Sequence, residues 1–176
     1  MSSVRDLVRD TRGSAAAELM LVMPILLIIM MGAFELGNYF RSEHILVEGL
    51  RDGARYAARQ SFSNYFGCSG TPSGTIAADT KTVVRTGLVS GGSDRLPNWT
   101  DAATTFSVTV NCTTTAGAQT VAGIYRDNKN STGTFIGAPI VTVSAHVPYR
   151  SILAKYGFTG IGMSLNGTQQ AAVMGI

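Results

Sequence analysis

The sequence predicts an α+β chain: a long apolar N-terminal helix that runs on into a small domain with one short helix and an antiparallel sheet of about four strands. Three observations carry this reading. Residues 19–34, LMLVMPILLIIMMGAF, contain no charged side chain. From Arg41 to Gln60, apolar and small residues recur at four-residue spacing without a proline. From Phe106 the period changes to two, the spacing at which a strand shows alternate residues to one face.

At 1.5 Å per residue, about 20 apolar residues cross the hydrocarbon core of a bilayer. The stretch from Ser14 to Phe40, whose only charges are Glu18 and Glu35, is long enough to do so. Ahead of it Arg5, Arg9 and Arg12 outnumber Asp6 and Asp10; behind it Arg41, Arg51, Arg55 and Arg59 offset part of that bias. The nearest flank predicts a cytoplasmic N-terminus, with everything beyond the span exported. An ordinary secretory signal places its small residues after the apolar run. Here Gly13-Ser14-Ala15-Ala16-Ala17 precede it, so a cut at this point would leave the helix on the product. Glu18 enters the apolar run at a cost of about 2.5 kcal/mol or more on insertion scales, and it therefore calls for a positive partner. The simpler alternative is that it favours the positive end of the helix dipole near the headgroups. Pro24 marks either a kink in a span or a point where the helix can unwind.

Beyond Phe40 the helix is expected to continue to Gln60. Leu46, Leu50, Ala54 and Ala58 lie at four-residue spacing beside Gly49, Gly53 and Ala57, a stripe suited to packing on a sheet. A continuous helix of about 45 residues would be some 68 Å long. Gly49 and Gly53 form a small-xxx-small pair that could admit a second helix closely; the plainer reading is a face of small core residues. Residues 62–75 read as loop. Residues 76–86 read as a short helix, with Thr75 as N-cap and Gly87 as its stop. A second loop, containing Pro97 and the lone Trp99, follows to Thr104. Strands are expected from Phe106 through Cys112, over Gln119–Tyr125, over Ile140–Val147 and over Met163–Val173. The chain thus divides into a basic leader (1–13), a transmembrane helix (14–40), its amphipathic continuation (41–61) and an exported α+β domain (62–176).

Composition excludes several classes. Charged residues make up 14% and the net charge is +3, with no Lys/Arg block of the kind that tracks phosphates, so no nucleic-acid partner is expected. Cys68 and Cys112 fall on the exported side, where a disulfide enclosing about 43 residues would contribute roughly 3 to 4 kcal/mol. The alternative is two buried thiols. Four Asn-x-Ser/Thr sequons, at Asn98, Asn111, Asn130 and Asn166, read as chance matches in a domain rich in these residues. His44 and His146 are the two histidines, and their positions give no reason to expect a shared metal. Phosphate-loop, nucleophile-elbow and zinc-protease motifs are missing, and beyond the helix the acids reduce to Asp79, Asp94, Asp101 and Asp127. Neither an enzyme nor a cofactor is expected.

The N-terminal pattern carries a resemblance. A basic leader, Gly13, a small residue, Glu18 at the fifth position after that glycine and an apolar helix together resemble the class III signal of type IV pilins. More narrowly, RGSAAAELMLVMPILLIIMMGAFELGNYF with the Arg-rich RDGARYAAR behind it resembles the TadE-like proteins of the tight-adherence (Flp) pilus system. The resemblance implies a prepilin peptidase that cuts between Gly13 and Ser14. It implies that Glu18 neutralises the free amino group of a neighbouring subunit, two costly charges becoming tolerable as a pair. It also implies partners among other pilin and pilin-like subunits, the inner-membrane assembly platform and the lipid bilayer. The small major pilins carry Tyr after the glutamate; Leu19 stands there in this chain, which points to a minor pilin or pseudopilin. Two readings compete with this one: an uncleaved, signal-anchored periplasmic binding module, and a membrane-tethered hydrolase.

Overall fold

The computed structural model describes residues 12–66, 68, 70–116, 119–120, 123–156 and 162–175. Most of the basic leader therefore lies outside the described residues. By its internal contacts the chain forms two units, Met1–Tyr39 with Ser151–Thr159, and Phe40–Arg150 with Gly160–Ile176.

Helix α1, Arg12–Ala58, contributes to both units. It continues through Pro24, which removes one backbone donor and leaves the turns on either side helical. In the first unit almost every residue from Ala16 onward is exposed: Met20 at 77%, Ile28 at 63% and Phe34 at 68%. An 18-residue window of this helix reaches a mean hydropathy of 2.4, and it is long and apolar enough to cross a membrane. A surface this apolar is stable only where lipid or protein replaces water. The unit's other described part is a 3-10 turn at Ile152–Tyr156.

The second unit is α+β. Helix α2 spans Ile76–Thr86 and ends at Gly87, whose φ of 79° is the left-handed conformation that glycine supplies without strain. Thr75 does not cap it through its side chain: its backbone is already helical (φ −87°, ψ −3°), and its hydroxyl donates to the Asp79 carboxylate at 2.7 Å. Strands β1 (Thr105–Thr113), β4 (Ala138–Pro148) and β5 (Ser164–Ala172) form an antiparallel sheet in the order β1-β4-β5. Thr105 pairs with His146 and Thr113 with Ala138 at the ends of the first ladder, Ile140 with Ala172 and Pro148 with Ser164 at those of the second. Of the strand expected over Gln119–Tyr125, the structure shows β3 (Gln119–Thr120), paired with β2 (Thr115–Ala116); residues 121 and 122 lie outside the described residues. Gly123–Tyr125 form a 3-10 turn and not a strand, with Gly123 at a φ of 72°, off the extended conformation.

Alternation along the strands decides the core. Val108 and Val110 of β1, Val141, Val143, Ala145 and Val147 of β4, and Leu165 of β5 are buried on one face. Leu46, Leu50, Ala54 and Ala57 of α1 are at most 3% exposed. A Cβ added at Gly167 of β5 would come to 2.5 Å from Leu50 Cδ1, so helix and sheet meet closely here, and a larger residue would require the Leu50 side chain to shift. The long connection from Leu88 to Thr104 is held by Leu96 and Trp99, both buried, and by the ion pair of Arg85 with Asp94 at 2.7 Å.

Candidate assembly site

The residues singled out in sequence fall in three places. Gly13 and Ser14 lie in the first turn of α1. Glu18 follows Ser14 by one helical turn and is exposed among exposed alanines and leucines. A free amine made at Ser14 would sit on the same side of the helix as the Glu18 carboxylate, about 6 Å along the axis.

Leu46, Leu50, Gly53 and Ala54 lie instead inside the domain. Gly49 and Gly53 both face α2: a Cβ at Gly49 would reach 2.6 Å from the Val84 carbonyl oxygen, and one at Gly53 would collide with Val84 Cγ2. The small-xxx-small pair therefore admits a helix of the same chain. Thr80, fully buried, adds its methyl to that contact. Tyr56 links the same two helices; burial and then the Asp79 carboxylate beside it hold its phenol above the ordinary value. Tyr65 is buried, and its hydroxyl donates to the Ala57 carbonyl at 2.5 Å. Burial, and to a lesser degree Tyr56, pushes that phenol upward too.

Cys68 and Cys112 are joined in a disulfide with Cα atoms 5.1 Å apart. The bridge fastens the loop after α1 to β1, where the Gly70 carbonyl accepts a hydrogen bond from Val110 N–H at 2.8 Å.

Two glutamates were underestimated in sequence. Glu35 is half-buried and accepts a hydrogen bond from Leu153 N–H at 3.2 Å, within the first unit. Its signal was the same as for Glu18: a carboxylate in an apolar run requires a partner. Glu43 precedes Leu46 by three residues and Leu50 by seven, which places it on the core face of the helix. Burial raises its carboxyl above the usual range, and a hydrogen bond from Asn166 N–H offsets part of that rise. One of its oxygens, Oε2, is buried without a hydrogen-bond partner among the described residues.

The outer face of the sheet is polar and uncharged. Ser107, Ser144 and Thr168 stand side by side in register, as do Thr109, Thr142 and Gln170. His146 Nδ1 lies 2.7 Å from Asn166 Oδ1 beside an open depression of about 220 Å³. Among the described residues no three His, Cys, Asp or Glu side chains converge as a metal site requires.

No curated protein and no solved structure proved similar to the chain. The model of one family, described as TadE-like protein, matches residues 13–55. The match begins at the glycine before Ser14, takes in Glu18 and the whole apolar run, and ends in the second half of α1. Over that segment, the one built around the membrane-length helix, the chain is similar to TadE-like proteins.

Proposed function

We propose that the chain is a minor pilin or pseudopilin of a tight-adherence pilus, cut by a prepilin peptidase between Gly13 and Ser14 and assembled through the exposed half of α1. The observation that carries this reading is the family match over residues 13–55, which joins the cut site, Glu18 and the uncovered apolar helix in one segment. Before assembly the helix holds the protein in the inner membrane, with the N-terminus cytoplasmic and the α+β unit periplasmic. The assembly platform then draws subunits together, and helix packing replaces lipid contact.

Glu18 sets the register of that packing. A carboxylate and an amine that are each costly in an apolar phase are tolerable together, so a neighbour docks where its amine meets Glu18. Cleavage supplies the amine. The first turn of a helix lacks part of its backbone hydrogen bonding and frays readily, which suits it to enter a protease cleft.

N-terminal sequencing of the protein from native membranes tests the cut: the mature chain is expected to begin at Ser14, and a chain still beginning at Met1 removes the processing step. Glu18→Ala is expected to insert normally and to abolish or strongly reduce piliation. Unchanged piliation would discard the pairing. The depression beside His146 favours a second reading, an uncleaved anchored binding module. Loss of that reading follows if His146→Ala leaves the phenotype intact while Glu18→Ala does not.

A further inference from the structure

Within the first unit, exposure is uneven around the helix. From Met30 to Phe40, Met31, Glu35, Asn38 and Tyr39 are half-buried while their neighbours are exposed. These four fall at helical spacings of four, three and one, a single stripe. The other described part of that unit is the turn between β4 and β5, and its Leu153 N–H is the donor to Glu35. Glu35 lies nineteen residues beyond Ala16, about 28 Å along the axis, which is the far boundary of a hydrocarbon core entered at Ala16. A turn that hydrogen-bonds Glu35 is therefore at headgroup depth. Leu153 is half-buried, but the apolar residues on either side of it are not turned inward: Ile152 is 55% exposed and Ala154 is exposed. In sequence they are bracketed by Arg150 on one side and Lys155 and Tyr156 on the other, residue types that anchor segments at a membrane surface.

We propose that the β4–β5 turn is a second membrane contact, with Ile152 inserted in the lipid interface and Glu35 positioning the turn there. The proposal rests on the reading of α1 as a membrane span. The carboxylate gains a backbone donor exactly where it leaves the apolar phase, and the turn gains a fixed depth. Lipid is the occupant because Ile152, next to the residue that binds Glu35, is exposed and apolar like Phe34 and Leu36 on either side of Glu35, in the unit that carries the membrane-length helix.

The test places a single environment-sensitive fluorophore on Ile152→Cys or on Leu27→Cys in the full chain, labelled without reductant so that Cys68 and Cys112 stay paired. The protein is reconstituted in vesicles of phosphatidylethanolamine and phosphatidylglycerol that carry, in separate samples, a shallow spin-labelled lipid to read Ile152→Cys and a deep one to read Leu27→Cys. Quenching at both positions supports the proposal. Quenching at Leu27→Cys alone overturns it and leaves the span in place; quenching at neither removes the span. A shielded probe at Ile152→Cys that lipid does not quench, and that depends on the protein-to-lipid ratio, assigns the turn to a second copy and overturns the proposal. Adding Glu35→Ala should at least halve the quenching at Ile152→Cys, while Glu35→Gln, which keeps an acceptor, should retain it. Equal quenching in all three backgrounds would remove Glu35 from the positioning role.

Discussion

The two halves of α1 are the same secondary structure in different surroundings. From Ala16 to Met30 the helix is exposed and, Glu18 apart, apolar on all sides; from Arg41 to Ala58 it is apolar along one stripe and buried along that stripe. An all-round apolar helix has no preferred face and is suited to a solvent of lipid tails or to packing with copies of itself. A one-sided helix is already committed, here to a sheet and to α2. The difference teaches that residue pattern, and not helix propensity, divides anchor from domain.

That contrast can be broken at several points. The largest effect is expected from Leu50→Ala, which empties a fully buried site against Gly167 and should cost about 3 to 4 kcal/mol. Unfolding in micelles can be followed by the fluorescence of buried Trp99. Leu27→Ala, the same change in the exposed half, should leave that transition within about 0.5 kcal/mol of the parent. A Cys68→Ser, Cys112→Ser double variant should lose about 3 kcal/mol through the freed loop, and reductant should then have no further effect on its transition. Gly53→Val drives a side chain into Val84 and should cost about 1 to 3 kcal/mol.

The smallest effect concerns Glu43. Its carboxyl is raised in the folded state, so the native form binds a proton more readily than the unfolded chain. Stability should therefore rise as pH falls from above the folded value towards the ordinary carboxylate range, and Glu43→Gln should flatten that slope. A slope of the same size in the variant would assign it to another group.

Much of this was legible beforehand. The charge-free run, the helix over 76–86 with its glycine stop, and the alternation of β1, β4 and β5 each follow from a local period that tertiary contacts reinforce. What failed to show were features set by partners distant in sequence. Gln119–Tyr125 has strand-like residues, but Gly123 turns the backbone away. Gly49 and Gly53 read equally as core fillers until α2 is known to lie against them. Glu35 is a lone acid in sequence, and its donor is 118 residues away.

The disulfide loop has a consequence for how the molecule associates. A three-stranded sheet has two open edges, and an open edge invites any other strand to add to it. Here the loop after Cys68 lays the Gly70 carbonyl against β1, while beyond the end of β5 Met174 N–H donates to the Ala58 carbonyl and Glu43 receives Asn166 N–H. Both margins are partly occupied by the chain itself. On the proposed reading, in which copies join through a helix, the molecule is thereby discouraged from joining them through its strands, and order in the assembly begins with a refusal of the wrong neighbour.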